Sequence, residues 1–158
     1  MTFNGLPLHP LIVHVVVVFA PLAGVAGIVY AVMPPWRWWL RWPFVVSAVV
    51  AAGAGVLAVQ SGYSLEHARN LQQLAAVRTH QHRGSILRWI MLAFLVPTAL
   101  AALMLGGASP VVSGWGSREG RTGVVAIGLQ ALLVICSVIL LIWVFLTGDS
   151  GARAIWAT

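Results

Sequence analysis

The residues of this chain best suited to chemistry are its five histidines. An imidazole can bind a metal ion or carry a proton, and it is costly to place in hydrocarbon without a purpose. When the apolar runs are drawn as membrane spans, all five fall on the same side of the resulting bundle, and one lies inside a span near its first turn. The sequence therefore predicts a histidine-lined site at that side, with these candidates: His9, His14, His67, His80 and His82.

The spacing of the histidines limits how they share a ligand. His9 and His14 are about 140° apart around a helix of 3.6 residues per turn, so both cannot point at one small ion. We expect His9 to contribute from the turn before the helix, and His14 from the helix itself. His80 and His82 diverge if they are helical, so at most one of them faces the bundle if the third helix has already begun.

Haem binding is the first chemistry that this pattern suggests. Haem in a membrane bundle commonly takes two axial imidazoles from different helices, with polar partners that fix each imidazole tautomer. His14 with His80 or His82 meets that requirement. We expect His14 and His80 to be the axial ligands, with His82 and His9 as substitutes or supporting partners. Arg78 and Arg83 flank the second histidine pair, where basic side chains suit the carboxylates of a porphyrin and anionic lipid equally well.

Binding of zinc or copper is the alternative. A divalent ion needs three or four donors, and the same side of the bundle offers an imidazole-rich set for it. Its members are His14, His80, His9, His82 and Asp149, with Glu66 as a further carboxylate. A third interpretation is that the histidines only form interfacial hydrogen bonds or lie exposed, in a non-catalytic scaffold subunit.

Transmembrane helices must position these residues. The chain has 158 residues, of which 60% are hydrophobic and 8% charged, and its mean hydropathy of +0.94 lies far outside the range of soluble domains. Because a helix needs about 20 apolar residues to cross a bilayer, we predict spans at about 11–33, 43–60, 86–105 and 124–146. The predicted fold class is an all-α integral membrane four-helix bundle, one domain over residues 1–158.

The segment Ser64 to Thr79 is predicted to be a short amphipathic helix on the membrane surface between the second and third spans. Ser64 suits the N-cap position, and Glu66 lies in the first turn, where the helix dipole favours an anion.

Small residues line one face of the first two spans. At spacings of three and four they predict close helix packing, with a flat cofactor in the groove as the alternative. They are Ala20, Gly24, Gly27 and Ala31 in the first span, and Ala48, Ala52 and Gly55 in the second. The same faces could join copies of the chain in a homo-oligomer.

Charge and topology indicate the membrane as the main partner. The net charge of +6 comes from nine arginines and no lysine, which favours anionic headgroups and not nucleic acid as the binding partner. An even number of spans puts both termini on one side. That side holds five arginines against four opposite, so the positive-inside rule favours cytoplasmic termini.

Several classes of enzyme have no support in the sequence. Cys136 is the only cysteine and lies mid-span, which excludes an intramolecular disulfide, thioether haem attachment and a thiolate zinc cluster. The sequence offers no nucleophile with a plausible base, no carboxylate pair and no phosphate-binding loop. We therefore do not expect an independent enzyme.

The opening Gly5-Leu6-Pro7-Leu8-His9-Pro10-Leu11-Ile12-Val13-His14 and the ending from Gly148 to Trp156 resemble the small bacterial membrane proteins grouped as domain of unknown function 2231. The resemblance implies four spans in the bacterial inner membrane. Some members are fused to redox modules, which implies electron transfer with a redox partner. His80 matches a histidine of that family before its third span, whereas Asp149 stands where a histidine is often found.

Overall fold

The computed structural model describes residues 2–3, 6–69, 75–105 and 123–156, with side chains described for 9–66, 75–105 and 123–154. Two-residue strands, β1 (Thr2–Phe3) and β2 (Leu6–Pro7), pair antiparallel ahead of the first helix. Four long helices follow, with a 3-10 turn at Pro34–Trp36 between the first two. They are α1 (Leu8–Val32), α2 (Arg37–Arg69), α3 (Ala75–Met104) and α4 (Val124–Trp156).

The helices follow from long apolar runs that contain few charged residues. Four stretches are long and apolar enough to cross a bilayer, one for each helix, and the second begins in the 3-10 turn before α2. They are His9–Val32, Pro34–Glu66, Ala75–Met104 and Val124–Ala154. The shortest of these measures about 36 Å at 1.5 Å per residue, against a hydrocarbon core of about 30 Å. The predicted all-α four-helix bundle is confirmed, and its helices are those of a multi-pass integral membrane protein.

The connection between the second and third spans differs from the prediction. Ser64 does not begin a separate surface helix, because α2 continues without a break to Arg69 and α3 has already begun at Ala75; residues 70–74 lie outside the described ranges. The Ser64 hydroxyl donates to the carbonyl of Gln60 within the helix, at 3.2 Å, instead of capping a new one. The two spans are therefore long helices that extend beyond the predicted span boundaries.

The four helices form a square in which each packs against two others. Consecutive helices are adjacent, and α4 also packs against α1. α1 and α3 both pack against α2 and α4, and so occupy diagonally opposite corners. Gly24 of α1 lies against Leu141 of α4, and Gly27 lies against Ser137 one turn further along. The predicted packing role of these small residues is confirmed for α1, since a side chain at either glycine would separate the helices.

Arg37 joins the ends of α1 and α3 by hydrogen bonds, at the end of the bundle away from the chain termini. Its guanidinium is buried and donates to the carbonyls of Tyr30 at 2.8 Å, Ala31 at 2.9 Å and Leu105 at 3.2 Å. The last carbonyls of a helix have no partner within the helix. One arginine therefore satisfies the ends of both α1 and α3.

Candidate functional site

His9 lies in the first turn of α1 and reaches across to α2. Its Nδ1 is 2.9 Å from the carbonyl oxygen of Ala58 and 3.2 Å from Oγ of Ser61. The Ser61 hydroxyl also donates to the Ala58 carbonyl, at 3.0 Å. Because α1 begins at Leu8, the expectation that His9 contributes from a turn before the helix is wrong.

His80 forms the same arrangement between α3 and α4. Its Nδ1 is 3.1 Å from the carbonyl oxygen of Thr147 and 3.3 Å from Oγ of Ser150. The Ser150 hydroxyl donates to the Thr147 carbonyl at 2.9 Å. Each imidazole therefore bonds to two groups on the next helix in the sequence. One is a backbone carbonyl, and the other is the hydroxyl of a serine one turn after that carbonyl.

The two imidazole rings meet across the centre of the bundle. Their centroids are 6.5 Å apart, and their planes are inclined at 76°. Both side chains are half-buried. The structure therefore brings together His9 and His80, from diagonally opposite helices, at the end of the bundle where α1 and α3 begin.

Glycines on α2 and α4 make room for the rings. A Cβ atom at Gly62 would lie 3.1 Å from Cε1 of His9, and one at Gly151 would lie 3.0 Å from Cε1 of His80. Contacts this short force the ring or the helix to move. Glycine at both positions lets each imidazole lie directly on the backbone of the neighbouring helix.

The hydrogen bonds fix which nitrogen of each ring carries a proton. A carbonyl oxygen can only accept, so Nδ1 of both His9 and His80 must donate. All hydrogen bonds of either ring to a described residue are made through Nδ1. In the neutral imidazole this leaves the lone pair on Nε2, which is the arrangement that metal-binding histidines commonly have.

The other candidate histidines are not part of this pair. His14 is exposed on the outer face of α1, and its Nδ1 bonds to the carbonyl of Pro10 on the same helix at 2.6 Å. His82 is exposed as well, which agrees with the expectation that only one of His80 and His82 faces the bundle. His67 lies in α2, but its side chain is outside the described residues.

The charged candidates form a separate group beside the histidines. Arg83 donates to the carbonyl of Leu146 at 2.9 Å and lies 3.9 Å from Asp149. Asp149 also accepts from Arg153, one turn later, at 3.0 Å. Arg78 is exposed. The structure thus places Asp149 against two arginines and gives Arg83 a role in joining α3 to α4.

A buried carboxylate joins α2 to α3 at the same end. Gln81 Nε2 donates to Glu66 Oε2 at 2.8 Å, and Glu66 is buried. Within the described ranges, no three side chains among histidine, cysteine, aspartate and glutamate lie close enough together to hold a metal ion. The metal donors that the structure does bring together there are two imidazoles.

Sequence reasoning missed four residues of the site: Ser61, Gly62, Ser150 and Gly151. The signal is present, because Ser-Gly occurs near the terminal-side end of the second span and again near that end of the fourth. The residue three positions before each serine supplies the carbonyl that the histidine binds. Only the paired occurrence distinguishes these dipeptides from ordinary small residues in a membrane helix.

The chain matches no protein-family model, no curated protein and no solved structure.

Proposed function

We propose that this protein binds b-type haem between His9 and His80 in the bacterial inner membrane and passes electrons within a redox assembly. The observation that carries the proposal is the imidazole pair, with ring centroids 6.5 Å apart and both Nδ1 atoms engaged by carbonyls. The proposed orientation, with both termini in the cytoplasm, is supported by the arginine distribution.

The number of donors favours haem over a zinc ion. A protein zinc site needs three or four side-chain ligands, whereas haem iron, already held by its porphyrin, needs only one or two axial ligands. The described part of the chain offers two imidazoles at this place and no third donor beside them. The pair therefore suits iron in a macrocycle better than a bare ion in a tetrahedral site.

The two imidazoles lie close enough together to hold one shared group. Their ring centroids are 6.5 Å apart, and each neutral ring would offer its Nε2 lone pair to that group.

The residues of the chain have distinct parts in this proposal. His9 and His80 bind the iron through Nε2, while the carbonyls of Ala58 and Thr147 hold the rings in the tautomer that leaves Nε2 free. Bound haem supplies a one-electron redox couple. Membership of the family grouped as domain of unknown function 2231, which the opening motif supports, is part of the same proposal.

A haem titration of the purified full-length protein in detergent tests the proposal. We expect a Soret band at a stoichiometry of one haem per chain. His9→Ala and His80→Ala should each weaken binding by more than about tenfold. His14→Ala and His82→Ala are matched controls, because both side chains are exposed, and both should bind haem as the natural chain does.

Two results would overturn haem binding. The first is a chain of unchanged helicity that gives no Soret band after haem addition. The second is one copper ion per chain without porphyrin, with the copper lost in His9→Ala and in His80→Ala. This result would select the second candidate function, a copper site of two imidazoles, which the same pair of donors supports.

A further inference from the structure

We propose that the bundle consists of two equivalent helical hairpins, each with one half of the site, and that Ser61 and Ser150 are equivalent positioning residues for the two imidazoles. The equivalence follows from contacts alone. That both halves serve one shared ligand rests on the function proposed above.

The hydrogen bonds of the two halves agree closely. The distance from Nδ1 to the carbonyl is 2.9 Å in the first hairpin and 3.1 Å in the second, and that from Nδ1 to the serine Oγ is 3.2 Å and 3.3 Å. The serine donates to the same carbonyl at 3.0 Å and 2.9 Å. Each half uses a carbonyl, a serine three residues later and a glycine directly after the serine.

The topology relates the two halves by a two-fold axis along the bundle. α1 and α3 lie on one diagonal, and the helices that follow them, α2 and α4, lie on the other. The histidine is 49 residues before its carbonyl partner in the first hairpin and 67 in the second. The longer second hairpin contains the glycine-rich segment 106–122, between α3 and α4.

Each histidine is the first residue of a helix face whose later positions include buried residues. The two faces use the same spacing, so the equivalence extends along α1 and α3. In α1 the positions after His9 at spacings of four and three include Val16 and Ala20, both buried. In α3 the positions after His80 at the same spacings include Leu87, Met91 and Phe94, all buried. Each imidazole therefore lies at the outer end of the helix face that forms the core.

Each serine shares the Nδ1 proton with the carbonyl. Oγ of Ser61 gives its own proton to Ala58, so its lone pairs can face the imidazole, and the N–H of His9 lies between two acceptors. Loss of one acceptor makes a bound imidazole less basic. We therefore assign these serines to the orientation and electron donation of the ring, and not to direct contact with the ligand.

Nitrogen-15 NMR of histidine in the ligand-free protein tests the equivalence without any haem. We expect His9 and His80 to carry their protons on Nδ1. Ser61→Ala should move the Nδ1 proton of His9 to higher field and leave that of His80 in place, and Ser150→Ala should do the reverse with a shift of similar size. Ser61→Thr, which keeps the hydroxyl, should restore the His9 signal.

Ser64→Ala is the matched control, because the Ser64 hydroxyl bonds to the carbonyl of Gln60 in its own helix and, among the described residues, not to either imidazole. It should move neither signal. A proton on Nε2 of either ring, or a Ser61→Ala spectrum identical to that of Ser64→Ala, would overturn the inference. If haem binds, Ser61→Ala and Ser150→Ala should each raise the midpoint potential by a similar amount. A purely structural serine would lower haem content and leave the potential unchanged.

Because the NMR readout uses the ligand-free chain, failure of haem binding and failure of the equivalence give different results. A protein without a Soret band but with two matching Nδ1 signals contradicts the haem proposal and supports the paired hairpins. A haem protein in which only one of the two serines affects its histidine contradicts the pairing and supports haem.

Discussion

His9 and His80 contact each other ring to ring although their helices lie on opposite corners of the bundle. Side chains on diagonal helices normally meet only where the intervening helices leave space. Here the space is provided by glycines at positions 62 and 151, where a Cβ atom would crowd the imidazoles. The contact therefore depends on four helices at once, and each of the residues that shape it can be tested separately.

Gly62→Ala and Gly151→Ala should displace the imidazoles. The new Cβ would lie 3.1 Å from Cε1 of His9 in the first case and 3.0 Å from Cε1 of His80 in the second. We expect each variant to lower haem affinity by about tenfold, as loss of a supporting contact of a metal ligand does. Gly148→Ala is the control, because a Cβ there meets nothing within 4 Å. Equal haem affinity in all three variants would show that the glycines do not position the rings.

Gly27→Ala should destabilise the bundle by separating α1 from α4. A Cβ at this position would lie 2.5 Å from Oγ of the fully buried Ser137, and such overpacking costs about 1–3 kcal/mol. Gly53→Ala is a matched control, since a Cβ there meets nothing within 4 Å and alanine favours the helix by up to about 1 kcal/mol. Thermal unfolding in detergent should give a lower midpoint for the first variant only. A similar midpoint in both would contradict the close approach of the two helices.

Arg37→Met should destabilise the chain more than any change at an exposed arginine. It removes three hydrogen bonds and leaves the carbonyls of Tyr30, Ala31 and Leu105 without this partner, at a cost of about 2–4 kcal/mol. Arg153→Met should have no measurable effect, because that side chain is 73% exposed. Denaturant unfolding in mixed micelles measures both, and equal stability of the two variants would contradict the role given to Arg37.

Asp149→Asn should leave haem or copper content unchanged. The carboxylate lies against Arg83 and Arg153, not beside the imidazoles. The substitution removes an ion pair that is partly exposed and contributes little. Metal analysis and the Soret band of the purified variant provide the measurement. Loss of the bound metal would support Asp149 as a ligand, a role that the zinc or copper interpretation of the sequence allows.

The fold was predictable from hydropathy because apolar length alone determines how many helices cross a bilayer. The end of the bundle that holds His9 and His80 was predictable for the same reason, since an even number of spans fixes which loops share a side. The end of the second helix and the start of the third could not be predicted in this way. A serine that suits an N-cap, here Ser64, can equally bond within a longer helix, and local sequence does not distinguish the two cases.

The choice between His9 and His14 shows what the sequence leaves open. Only one of them can face the core, because they point about 140° apart around α1. The small-residue face decides between them: at spacings of four and three it extends back from Ala20 to His9 and leaves His14 exposed. That reasoning requires a helical conformation at His9, which is disfavoured by the proline that follows it, Pro10. The carbonyl partners, at Ala58 and Thr147, could not be identified from their residue types, because a backbone carbonyl carries no residue-type signal.

The buried arginine at the far end of the bundle has a consequence for the depth of the histidines. His9 and Tyr30, whose carbonyl Arg37 binds, are separated by about 31 Å along α1 at 1.5 Å per residue, which is the thickness of the hydrocarbon layer, about 30 Å. In a bilayer of that thickness, the guanidinium and the imidazoles would lie near the two opposite boundaries of the hydrocarbon layer. On the function proposed above, a water-soluble electron carrier on the histidine side would meet the rings at headgroup level, whereas one on the arginine side would be separated from them by the whole hydrocarbon layer.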